Sequence, residues 1–91
     1  MRISHIGIAV SDLADAMQKY GALFDNNNPH RERVEEQRVD VASSPLGDAV
    51  IELTAATDDQ SPIARFIEKR GEGIHHIAIE VENINEELDR L

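Results

Sequence analysis

Residues 3–10 alternate in character. His5, Gly7 and Ala9 fall on one side and Ile6, Ile8 and Val10 on the other, the period of two shown by a strand with one face on a core. Asp12 then offers an N-cap with Asp15 at the third helical position, and Leu13, Met17, Tyr20 and Phe24 recur at helical spacing, which predicts a helix over 13–24. Asp25-Asn-Asn-Asn-Pro29 has the turn chemistry of a loop, and the polar run from His30 to Glu36 has no clear period. Val39 and Val41 predict a short strand entering a turn at Ser44-Pro-Leu-Gly47. Alternation returns from Ala49 to Thr54, with Ile51 and Leu53 on one face and Val50, Glu52 and Thr54 on the other. After a loop at Asp58-Asp-Gln60, Ser61 is a good helix cap and Pro62 stands in the first turn. Gly71 then stops that helix behind the basic pair Lys69-Arg70, with Ile63, Phe66 and Ile67 as its buried stripe.

The opening pattern recurs near the end. His5, Ile6, Ile8 and Val10 correspond at one constant offset to His76, Ile77, Ile79 and Val81, and the polar break Ser11-Asp12 corresponds to Glu82-Asn83. The helical stripe follows in order, Leu13, Met17 and Tyr20 matching Ile84, Leu88 and Leu91. Apolar, polar and capping positions agree together, which marks a duplicated structural unit whose second copy is only begun.

Ninety-one residues suit one small domain, near the size at which a single core is marginal. With 41% apolar residues but only 3% aromatics, that core must be built from Ile, Val, Leu and Ala. No long charge-free apolar run is present, so no membrane partner is expected. The chain enters its first periodic segment at once, with no signal-peptide pattern, and it has no cysteine; a cytoplasmic setting is the expectation. Any metal must therefore take His and carboxylate ligands. The net charge of −9 argues against nucleic acid, which calls for a basic stripe, and requires local cations or a metal to hold an anionic substrate.

His5, Glu52 and His76 each stand mid-strand on the face opposite the branched apolar residues. Taken singly, each is ordinary, but the duplication relates the two histidines by pseudo-symmetry. Two imidazoles and a carboxylate converging from three strands suit a divalent cation with positions left open. Their same-face neighbours Gly7 and Ala78 are small and leave room for a ligand. By alternation His75 points to the other face, and His30 has no visible partner.

These residues resemble methylmalonyl-CoA epimerases of the vicinal oxygen chelate superfamily, which also holds glyoxalase I, extradiol dioxygenases and bleomycin-type resistance proteins. The marks are His5-Ile-Gly-Ile-Ala-Val-Ser-Asp-Leu13, Val34-Glu-Glu-Gln37, Pro45-Leu-Gly47, Ile51-Glu-Leu53, Ser61-Pro-Ile-Ala-Arg-Phe66 and Gly71-Glu-Gly-Ile-His-His-Ile-Ala-Ile-Glu-Val81. The linker from Ser61 to Phe66 running into Gly71-Glu-Gly-Ile-His-His is the most specific to the epimerases. The resemblance implies an α+β fold of the glyoxalase-like kind: a βαβββ module at 1–60, a linker helix at 61–72, and at 73–91 the first strand and helix of a second, incomplete module.

It also implies metal ligands at His5, Glu52 and His76, with a fourth expected beyond Leu91, so that the chain reads as a C-terminally truncated epimerase. The cofactor implied is a divalent ion (Co, Mn, Ni, Zn or Mg) and the partner a CoA thioester. The reaction implied is interconversion of (R)- and (S)-methylmalonyl-CoA by 1,1-proton transfer through a metal-stabilised enolate. That reaction needs a proton-transferring group on each face of C2. Some epimerases carry a Glu where this chain has Val41, so the catalytic pair is unassigned and little epimerisation is expected of the isolated chain. The alternatives are a glyoxalase I-like lyase and a non-catalytic ligand-binding protein of the same superfamily. An unpaired strand beginning at Ile74 leads further to the expectation of a homo-oligomer, most simply a dimer.

Overall fold

The alternating segments become strands and the striped segments helices. The computed structural model describes residues 1–25 and 29–90. In chain order these form β1 (Arg2–Ala9), α1 (Leu13–Phe24), β2 (His30–Val34), β3 (Val39–Leu46), β4 (Ala49–Ala56), α2 (Pro62–Arg70), β5 (Gly73–Glu80) and α3 (Ile84–Arg90). The centre of the loop expected at 25–29, and Leu91, lie outside the described residues. The strands make one sheet in the order β2-β3-β4-β1-β5, in which β1 runs parallel to β4 and the other neighbours are antiparallel.

Each face of the sheet carries a helix. Ile6, Ile8, Val10, Ile51, Leu53 and Ala55 pack beneath Leu13, Ala16, Met17 and Tyr20 of α1, as the alternation requires. On the other face Ala9, Val39, Val41 and Ala56 meet Ile63, Phe66 and Ile67 of α2. Both helices begin at the expected caps. The Asp12 carboxylate accepts the Asp15 N–H at 3.0 Å, and the Ser61 hydroxyl accepts the Ile63 N–H at 3.2 Å. Ser61 is fully buried and also donates to the Gln37 carbonyl at 3.4 Å, which ties the start of α2 to the turn between β2 and β3.

Two segments differ from the sequence pattern. His30–Val34 is a strand despite its polar run, because it is the sheet edge: its first four residues are exposed, and its cross-strand pair Arg33 and Asp40 is joined by an ion pair of 2.7 Å. β3 is longer than expected and runs through Pro45 to Leu46, leaving Gly47-Asp48 as the turn. Pro45 sits opposite Val50 near the end of that hairpin, where a missing N–H does least harm to the ladder.

The sequence repeat is a spatial symmetry. Ile6 stands opposite its repeat equivalent Ile77, His5 stands opposite Ala78, and Gly7 stands opposite His76. Exchanging the two copies maps the last two pairs onto one another, so a local two-fold axis passes between Ile6 and Ile77. The register shifts obey the same symmetry. They leave Ser4 in β1 and His75 in β5 without partners, and each of these bulged residues precedes one of the paired histidines.

Candidate metal centre

One row of the sheet assembles the site. Gly7 on β1 pairs with Glu52 on β4 to one side and with His76 on β5 to the other, and directly paired residues point to the same face. Gly7 has no side chain between them. A Cβ built there would overlap the His76 ring, so the imidazole lies over the glycine backbone. His5, two residues earlier on the same face of β1, completes the group. Its Nε2 is 3.0 Å from His76 Nε2 and 3.5 Å from a Glu52 carboxylate oxygen, and one ligating atom from each of the three lies within 4.8 Å of the others.

The electrostatics favour a neutral imidazole at the centre. Loss of water around the ring lowers the His76 pKa below its ordinary value; potential positive charge on His5 and His75 adds to this, against a smaller opposing pull from Glu52. A neutral ring keeps a nitrogen lone pair for coordination. The His5–His76 and His5–Glu52 separations fall within the spacing of two donors held at about 2.0–2.2 Å from one ion.

The cluster opens into a cavity of about 400 Å³ between the sheet and the start of α2. Its walls also include Glu32, Gln37, Val39, Val41, Thr54, Ile63 and His75. Glu32 pairs with Val41 and Val41 with Thr54, the row next to that of Glu52 and on the same face. Sequence reasoning gave no role to Glu32, because the surrounding edge strand lacks a period. The pairing of Glu32 with Val41 becomes visible only once the two strands are in register.

His75 departs from its expected position. Simple alternation puts it on the face of α1, but the bulge in β5 brings it to the cavity beside His76. Its Nδ1 is 3.0 Å from His76 Nδ1, and its ring meets Phe66 of α2 edge-on, with centroids 4.9 Å apart.

Comparison with known proteins agrees with this architecture. The sequence model of the Glyoxalase/Bleomycin resistance protein/Dioxygenase superfamily matches residues 4–91. The uncharacterized protein YqjC of Bacillus subtilis is 40% identical over 90 residues, covering 99% of this chain and 64% of its own length. Human mitochondrial methylmalonyl-CoA epimerase is 38% identical over 85 residues, covering 92% of this chain and 48% of its own. A solved methylmalonyl-CoA epimerase of Streptomyces coelicolor, in complex with 2-nitronate-propionyl-CoA, superposes with a TM-score of 0.80 at 31% identity, over 99% of this chain and 67% of that one. The chain thus spans less than two thirds of the first two relatives. Its five-stranded mixed sheet with helices is the glyoxalase-like α+β fold, and the chain belongs to the glyoxalase/bleomycin resistance protein/dioxygenase superfamily, with methylmalonyl-CoA epimerases among its relatives.

Proposed function

We propose that this chain carries the metal site and half of the acid/base machinery of an epimerase acting on methylmalonyl-CoA or a close malonyl thioester. The observation that carries the reading is the convergence of His5, Glu52 and His76 at the mouth of a cavity, in a chain whose relatives include epimerases of that substrate. The donor set of two imidazoles and a carboxylate fits a divalent ion such as Zn, Co, Mn, Ni or Mg. When bound, such an ion supplies a Lewis acid for the oxygens of a thioester and its neighbouring carboxylate.

The chain's own residues do the rest. His5, Glu52 and His76 would hold the ion, whose positive charge would offset the repulsion of an anionic substrate by a protein of net charge −9. Val39, Val41 and Ile63 offer an apolar wall to the methyl group and exclude water from it. The proton on C2 needs a base. Glu32 lines the same cavity and has no ion-pair partner among the described residues, so its carboxylate is assigned that proton. It stands directly across from Val41, the place where some epimerases carry a Glu. One base exchanges the proton on one face of C2, and inversion requires a second group on the opposite face.

The remaining assignments follow the same reading. Residues 1–60 are the first module, 61–72 the linker helix and 73–91 the opening of a second module. β5 is an edge strand, and Ile74, Ile77 and Ile79 are exposed along it, a surface that suits completion by a second copy in a dimer. No described helix is long and apolar enough to cross a membrane, and the absence of cysteine suits the cytoplasm. Val41 in place of a Glu favours a second reading, a superfamily protein that binds a ligand without turning it over. Deuterium exchange at C2 of a methylmalonyl thioester, run on the metal-loaded chain, separates the two: exchange supports the enzyme, and metal binding without exchange supports the binder.

A further inference from the structure

We propose that His75 is a positioning residue that holds His76 in the tautomer with its Nε2 lone pair turned toward His5 and Glu52. The inference rests on the metal-site reading only for its consequence; the His75–His76 and His76–His5 contacts and the nearby Glu52 carboxylate that carry it belong to the fold itself.

Four side chains lie in a line. His75 Nδ1 faces His76 Nδ1 at 3.0 Å, His76 Nε2 faces His5 Nε2 at 3.0 Å, and His5 Nε2 lies 3.5 Å from the Glu52 carboxylate. Each neutral imidazole has one N–H and one lone pair, so the line has only two self-consistent directions. Glu52 selects between them. Without a metal, the acceptor-only carboxylate beside His5 Nε2 favours a proton on that nitrogen, shared between Glu52 and His76 Nε2; a bound ion would displace that proton, and His76 Nε2 presents its lone pair in either case. His76 must then carry its proton on Nδ1, and His75 Nδ1 must accept it. The lone pair left on His76 is therefore the one inside the three-residue cluster. A ring nitrogen on the far side of a ligating histidine commonly has such a partner, which fixes the ring's orientation and tautomer.

The fold holds His75 in this place by two independent devices. The bulge in β5 removes it from the alternation that would turn it to the α1 face. Phe66 then packs edge-on against its ring at 4.9 Å and an interplanar angle of 84°, and the His75 and His76 rings stand at 90°. A residue serving only to fill space beside Phe66 would need no acceptor atom, and this difference is what the test reads.

The experiment records long-range ¹H–¹⁵N spectra of the histidine rings in the metal-free chain at mildly alkaline pH, and titrates Zn²⁺ into wild type, His75→Phe and His75→Asn. The expected result is an Nδ1–H tautomer at His76 in the wild type. His75→Phe, which keeps an aromatic ring but removes the acceptor, should lose that tautomer and weaken Zn²⁺ binding about 10- to 100-fold. His75→Asn, which restores a carbonyl acceptor, should recover part of it. An Nε2–H tautomer at His76 in the wild type, or Zn²⁺ binding by His75→Phe as tight as wild type, overturns the proposal. Failure of the wild type to bind Zn²⁺ overturns the metal reading instead, and the tautomer of His76 still decides the role of His75.

Discussion

The imidazole of His76 rests on the backbone of Gly7, its cross-strand partner, so closely that no side chain fits between them. Gly7 is needed for this approach rather than for any turn. Replacing it with Ala should push the His76 ring away from His5 while leaving the β1–β5 pairing in place, because alanine is compatible with a strand. The expected outcome for Gly7→Ala is Zn²⁺ affinity reduced at least about tenfold, with far-UV circular dichroism unchanged. Calorimetric titration with Zn²⁺ checks it, and unaltered affinity would show that His76 does not need this approach to serve the cluster.

Ser61 couples the start of α2, which walls the cavity, to the turn after β2. It is fully buried, caps α2 through the Ile63 N–H and donates to the Gln37 carbonyl. Ser61→Ala removes the cap and leaves the carbonyl without this donor, for an expected loss of about 1–2 kcal/mol. Urea denaturation measures it. Ser61→Asp, which keeps a capping oxygen but adds a charge to a buried position, should not restore wild-type stability.

The metal-free chain should lose stability in mild acid through His76. Its folded-state pKa lies below the ordinary value of 6.5, owing first to loss of water around the ring. The unfolded chain therefore takes up more protons as pH falls, and stability declines with it. This contribution is fully present above about pH 6.5, the unfolded value, and is lost as pH drops toward the lower folded value. Urea midpoints at several pH values test the sign, and His76→Gln should flatten the decline. A midpoint that rises between neutral pH and pH 5 would reverse the assignment.

Glu32 is the proton-transferring carboxylate of the reading given above, and Glu32→Gln preserves its shape while removing its basicity. Deuterium exchange at C2 of a methylmalonyl thioester should fall about 10²- to 10⁴-fold, with Zn²⁺ affinity unchanged. In that background Val41→Glu places a carboxylate on the opposing residue of the neighbouring strand and should recover part of the exchange. Exchange by Glu32→Gln at the wild-type rate would move the base elsewhere.

The parts of the fold that the sequence made legible are those with one clean period. Ile6, Ile8, Ile51 and Leu53 alternate because one face of each strand lies under α1, and the same alternation put His5 and Glu52 together on the other face. The repeat supplied His76, whose equivalence to His5 is realised as the symmetric pairing about Ile6 and Ile77. β2 was hidden because an edge strand with exposed polar residues has no apolar face to display. β3 was shortened because Ala42, Ser43 and Ser44 are too small to mark a face and Pro45 imitates a turn. The position of His75 was beyond any periodicity argument: a bulge adds one residue to one strand, and the register of two chain segments must be known before it can be seen.

The central claim is that His5, Glu52 and His76 form one metal site, and calorimetric titration of Zn²⁺ into the wild type and into His5→Ala, Glu52→Ala and His76→Ala tests it most directly. The account predicts one ion per chain in the wild type and affinity lowered by more than about 100-fold in each variant, since each loses a direct ligand. A wild type that binds no ion, or variants that bind as the wild type does, would contradict it.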